Sequence, residues 1–223
     1  MTTFFSPATK TMTLTKNTEQ LKQRVAEHIA ADSIIQGSYW SEETKRGCFI
    51  GCLAHSYDPR INEATYGLPI AVQRIAEDVF EALPADEAKA FFAALPDAVA
   101  CDGKDLSKVH WQFLAAELRS LPEQPAEIQA VIDPVIAGMD MVANGQKWPG
   151  AAAAYAAAVD AAAIADAAYD TPNAAVAATA AVYAAHAAAA YAAASAVNAA
   201  GVRLRQRDLL LRLIKEAPVM DAA

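Results

Sequence analysis

At 223 residues the chain is long enough to bury a sizeable core, and its net charge of −8, from 26 acidic and 18 basic side chains, excludes a general binder of phosphate backbones. Hydrophobic residues make up 55% of it, but alanine inflates that figure, so the core must rest on scattered Leu, Ile, Val, Phe and Trp. Three cysteines, an odd number, give no disulfide framework and suit a reducing cytoplasm, the expected location.

The first residues have no basic stretch followed by an apolar run, so no signal peptide is read, and residues 1–16 are expected to be a flexible terminus. Asn17 with Gln20 three residues on resembles a capping box. Leu21, Val25 and Ile29 then mark one face of a helix to about Asp32, with His28 at the edge of the stripe. A turn at Gln36-Gly37-Ser38-Tyr39-Trp40 and a polar loop at 41–46 follow, and 57–67 reads as a further loop, with turn chemistry at Asp58-Pro59 and Tyr66-Gly67.

Pro69 opens a helix carrying Ile70, Ile75, Val79, Phe80 and Leu83, which Pro84 ends. A short helix over 85–95 carries Phe91, Phe92 and Leu95 and is expected to stop at Pro96. Asp105 is expected to cap a helix with Val109, Phe113, Leu114 and Leu118. Pro125 starts another, with Ile128, Val131, Ile132, Val135, Ile136 and Met139, which Pro134 should kink before Asn144-Gly145 closes it.

Alanine occupies 31 of the 50 positions from 151 to 200. Alanine loses no side-chain entropy in a helix, and Thr171-Pro172 supplies a cap and a first helical position. Two helices, over 151–169 and 172–200, are therefore expected to pack as a hairpin through methyl faces. Residues 176–197 lack Asp, Glu, Lys and Arg, long enough to span a bilayer, but their weakly apolar alanines and the neighbouring Asp160 and Asp166 argue against membrane insertion. Gly201 is expected to bend or end the second helix, and Leu204, Leu210, Leu211, Leu213 and Ile214 mark a final amphipathic segment. With no useful period-2 run, the fold is read as all-α: a helical front domain over 17–149, with an alanine-rich hairpin and Leu-rich C-terminal helix over 150–217 packed on it as one unit.

Two places could carry chemistry. Cys48, Cys52 and His55 would share one face if 46–56 were helical, so two thiolates and an imidazole could hold zinc with a fourth position open, with His28 as a further candidate ligand. The same residues fit a packing role: Gly47, Cys48, Gly51 and Cys52 form a small-residue face, and cysteine is commonly buried. In the hairpin, Asp166, His186 and Tyr183 are candidates for a buried polar network, the acid–imidazole pair offering a general base; a solvent-facing edge is the alternative. The basic group Arg203, Arg205, Arg207, Arg212 and Lys215 lies near a helix C-terminus, where the dipole favours cations.

Gly37-Ser38-Tyr39-Trp40 through Arg46-Gly47-Cys48 and Gly51-Cys52, with Tyr66-Gly67-Leu68-Pro69 and Phe80 to Leu83-Pro84, resembles a group of bacterial and phage-borne alanine-rich proteins. That resemblance implies a bacterial or phage cytoplasmic protein and supplies no catalytic residues. Thr171-Pro172-Asn173-Ala174-Ala175 through Ala184-Ala185-His186-Ala187-Ala188 is similar to alanine-rich helices of putative immunity proteins of bacterial toxin systems. The leading expectation is a non-enzymatic protein that binds and neutralises a toxin or defence effector, needing no cofactor. The alternatives are a zinc-dependent enzyme or zinc-stabilised module using Cys48, Cys52 and His55, and a homo-oligomeric structural protein.

Overall fold

A computed structural model describes residues 13–122, 126–151 and 196–220. Among these residues it is an all-α bundle with one two-stranded ribbon, as the periodicity requires. The helices are α1 (Thr18–Ala30), α2 (Phe49–Ala54), α3 (Pro59–Tyr66), α4 (Ile70–Ala82), α5 (Ala85–Val99), α6 (Val109–Arg119), α7 (Ala126–Ala143) and α8 (Ala196–Glu216). Strands β1 (Trp40–Ser41) and β2 (Arg46–Gly47) pair antiparallel, Trp40 opposite Gly47, so the polar loop expected at 41–46 is largely this hairpin.

The core forms where the apolar stripes meet. On α4, Val72, Ala76, Val79 and Phe80 recur at helical spacing and are buried; on α5, Phe91, Phe92 and Leu95 do the same. Phe49, the first residue of α2, sits among them. Its ring centroid is 5.3 Å from Phe91, 5.5 Å from Phe92 and 6.1 Å from Phe80, aromatic pairings worth about 0.5–1.5 kcal/mol each beyond area burial. This anchor fixes where Cys48 and the rest of α2 lie. Leu210 and Ile214 of α8 are buried too, and α8 packs against α4, α5 and α6, so the C-terminal helix belongs to the front domain's core.

Several local expectations change. The segment 57–67 is a helix, not a loop: Asp58 is its N-cap, accepting from Arg60 N–H at 3.0 Å, Pro59 takes the first helical position and Gly67 (φ 69°) closes it. Helix α5 runs through Pro96 to Val99. Proline there forfeits one hydrogen bond, while burial of Ala98 and Val99 and an Ala100 N–H bond to the Pro96 carbonyl (2.8 Å) hold the last turn. Asn17 makes no capping box. Its backbone is left-handed (φ 53°), its side chain donates to the Thr65 carbonyl at 2.6 Å, and Asp102 Oδ1 instead accepts from Thr18 N–H at 2.9 Å. Asp105 does not cap α6 directly; it accepts from Ser107 N–H, two residues before the helix begins. Helix α8 passes through Gly201 unbroken, a lone exposed glycine costing only about 1 kcal/mol. Pro134 lies inside α7, and Asn144-Gly145 (Gly145 φ 75°) closes that helix as expected.

Both ends of the described chain are tied to residues 101–105. Leu14 bridges Asp105 and Lys104 bridges Val219, with Gly103 N–H donating to the Thr15 carbonyl and Met220 N–H to the Gly103 carbonyl. Lys104, buried, extends its ammonium to the carbonyls of Ala98 (3.2 Å), Ile214 (3.2 Å) and Lys215 (2.7 Å), joining the C-terminal ends of α5 and α8.

Candidate functional site

Both ends of α2 gather the polar residues of interest, and the helix is only six residues long. Cys48 is its N-cap, with extended backbone (φ −80°, ψ −170°), and His55 is its C-cap in the left-handed region (φ 50°, ψ 38°). Helical projection therefore does not apply across 48–55, and the three proposed zinc ligands do not form one set. The small-residue face does pack closely, but against β1 rather than a helix: a Cβ on Gly51 would lie 1.3 Å from the Tyr39 carbonyl oxygen, and one on Gly47 2.2 Å from it.

At the N-terminal end, Cys48 Sγ and a carboxylate oxygen from each of Glu77 and Glu81 lie within 4.8 Å of one another. Cys48 and Glu77 are buried, and Glu81 is exposed. Glu77 accepts from Ile50 N–H at 2.9 Å, and Glu81 from Gly37 N–H at 2.7 Å, so each carboxylate is oriented by a backbone donor. Burial pushes the Cys48 thiol well above its ordinary range, reinforced by the hydrogen bond to Glu77 and its charge. Burial likewise raises Glu77, against the opposing hydrogen bonds from Cys48 and Ile50. Cys52 is separate: its thiol donates to the Gly47 carbonyl at 3.2 Å, and burial pushes it up to about 12. Neither thiol is a thiolate at neutral pH without a cation, so neither is a ready nucleophile.

At the C-terminal end, His55 turns away from the cysteines toward α1. Its Nε2 lies 3.0 Å from His28 Nε2, a contact that requires one proton between the two nitrogens. His28 Nδ1 is 2.6 Å from Ser33 Oγ. Trp40 stacks on His55 (centroids 4.2 Å apart, planes 8° apart) and donates its indole N–H to Glu42 at 2.7 Å, while Arg24 Nη1 lies 2.6 Å from His55 Nε2. Burial, then the His55 and Arg24 charges, lowers His28 to about 4; burial and Arg24 lower His55 as well. Both rings are neutral at pH 7. Arg24 beside the pair makes this end a poor cation site.

The sequence placed His28 at the edge of the α1 stripe and offered it beside His55 as a further zinc ligand; the fold of α2 onto α1 brings these two rings together, away from Cys48. Glu77 and Glu81 carried a signal that was missed: carboxylates at i and i+4 on a helix share a face. The candidate network Asp166, His186 and Tyr183, and the expected hairpin around it, lie outside the described residues. Three members of the basic group near the C-terminus make side-chain contacts within the chain: Arg207 pairs with Glu87 and Asp208, Arg203 bonds Gln206, and Arg205 reaches Ser120.

Three large side chains between residues 39 and 61 are exposed. Tyr57 is 76% exposed, Tyr39 45% and Ile61 41%. Arg74 contacts Tyr39 Oη at 3.2 Å, and Asp58, next to Tyr57, is held below the usual carboxylate range by Arg60 hydrogen bonds with the Arg74 charge contributing. No family model matches the chain, and no curated protein or solved structure is significantly similar to it. Among the described residues no helix is long and apolar enough to cross a membrane.

Proposed function

We propose that this is a non-enzymatic protein-binding protein of bacterial or phage origin, acting by masking a basic partner of the toxin or defence-effector kind. The observation that carries the reading is the exposure of Tyr39, Tyr57 and Ile61, with Arg74 against Tyr39. Tyrosine and arginine are the residue types that dominate binding energy in protein interfaces, and these tyrosines are solvent-facing in the free chain. The charge of −8 supports it by steering a positively charged protein to the surface, which raises the association rate and makes it salt-dependent. The chemistry at α2 supports it too, since the buried thiols and neutral imidazoles are held by internal hydrogen bonds. Cytoplasmic location fits the reduced cysteines.

Tagged full-length protein, with Tyr57→Asp and Ile61→Asp variants beside it, tests this in lysate of the source cell or its bacterial host. The reading expects a basic protein retained at low salt by the wild type, released as salt rises, and lost with both variants. Nothing retained reproducibly, retention indifferent to Tyr57 and Ile61, or a concentration-dependent doubling of mass by light scattering would overturn it, the last in favour of self-association.

A further inference from the structure

We infer that Cys48, Glu77 and Glu81 form a binding site for a zinc-class divalent cation. The placement comes from two elements that must meet for the fold to close. Helix α4 presents Glu77 and Glu81 on successive turns of one face, and Phe49, locked among Phe80, Phe91 and Phe92, holds the preceding Cys48 against that face. All three donor atoms lie within 4.8 Å of one another. In a tetrahedral zinc site with bonds of about 2.3 Å to sulfur and about 2.0–2.2 Å to oxygen, donors stand about 3.4–3.6 Å apart, so closure asks for shifts of about 1 Å.

A second observation points to a cation. Glu77 is only 7% exposed, and a buried carboxylate is ordinarily paired with a Lys or Arg. Glu77 accepts from the Ile50 N–H with the Cys48 thiol beside it, none of the ion pairs among the described residues includes it, and Arg74 acts on it only weakly, through its charge. A thiol and a carboxyl pressed together in the core, both favoured in their neutral forms, become a stable pair of anions once a dication sits between them. The backbone N–H groups of Ile50 and Gly37 already orient the two carboxylates, as outer-shell donors do in metal sites.

On binding, the Cys48 S–H bond breaks and its proton leaves to solvent, as does any proton on Glu77, while sulfur and two oxygens donate lone pairs to the ion. The thiolate favours zinc over magnesium or calcium, and exposed Glu81 marks the route of entry. A fourth position stays open for water.

Full-length apo protein titrated with Co²⁺, then with Zn²⁺ in competition, tests the site. We expect one ion per chain, a near-ultraviolet thiolate-to-cobalt charge-transfer band, and displacement of cobalt by zinc. Cys48→Ser should abolish the band and Glu81→Gln should weaken binding tenfold or more, whereas Cys52→Ala and His55→Ala should leave both unchanged. Glu81 is exposed, so its variant folds even if changes at Cys48 or Glu77 do not, which circular dichroism checks. No band, a band that survives Glu81→Gln at full affinity, or a band lost in Cys52→Ala or His55→Ala would overturn the assignment.

Discussion

The His28–His55 contact makes stability depend on pH in a direction that can be worked out from its neighbours. An unfolded chain protonates His28 near 6.5, whereas in the fold burial, the His55 ring 3.0 Å away and Arg24 hold it to about 4, against the pull of the Cys52 carbonyl and Glu27. Between those values the unfolded chain binds more protons, so stability rises with pH; it is fully present above 6.5 and lost as pH falls toward 4. The gap amounts to about 3 kcal/mol at ~1.4 kcal/mol per pH unit. His55 and Arg24 are open to solvent on one side, which screens their charges, so we expect about 1–2 kcal/mol. Glu42 and Lys45 act on the pair only through His55 and largely oppose each other. Urea unfolding of the wild type and His28→Gln from pH 7.5 to 4 isolates the contribution, because other carboxylates are common to both proteins. The wild-type advantage should shrink by about 1–2 kcal/mol across that window, with the His28 ring still neutral at pH 5 by NMR. Parallel stability curves, or a His28 resonance titrating near 6.5, would refute the reasoning.

Gly51→Ala should destabilise the fold by at least ~3 kcal/mol, since its Cβ would meet the Tyr39 carbonyl at 1.3 Å and a backbone cannot step aside as a side chain can; loss of Trp40 fluorescence quenching by His55 should accompany it, and a variant as stable as wild type would show that β1 does not rest on α2. Lys104→Met should cost about 2–3 kcal/mol by leaving two buried carbonyls and one part-buried carbonyl without their ammonium, and should expose residues 218–220 to proteolysis; a change below about 0.5 kcal/mol in urea unfolding would mean that the termini are held by strand pairing alone.

How much of this was legible in the sequence depends on the distance over which each feature is decided. The stripes on α4 and α5 are local, and Val79, Phe80, Leu83, Phe91, Phe92 and Leu95 are buried as their spacing predicts, while Ile70 and Ile75 are half-buried and Val72 takes the core position instead. The helix at 59–66 was legible as well, because Asp58-Pro59 followed by Gly67 is a cap, a first helical position and a stop; it was read as turn chemistry because those residue types serve both ends. The Cys48–Cys52–His55 face failed for a different reason. It assumed that a helix covers all eight residues from 48 to 55, and Cys48 and His55 are instead the non-helical caps at opposite ends of α2. Sequence cannot show that Thr18 is capped by Asp102, 84 residues away, or that His28 meets His55, because only the packed core brings those elements together. The same limit explains Glu77. Its i, i+4 partner Glu81 was visible, but a carboxylate pair on a helix is usually solvated, and only the docking of Phe49 makes Glu77 a buried acid against a thiol. A long-range contact thus turns a commonplace surface pattern into a chemical one, and a cysteine at a helix cap is best judged by what the neighbouring helix places opposite it.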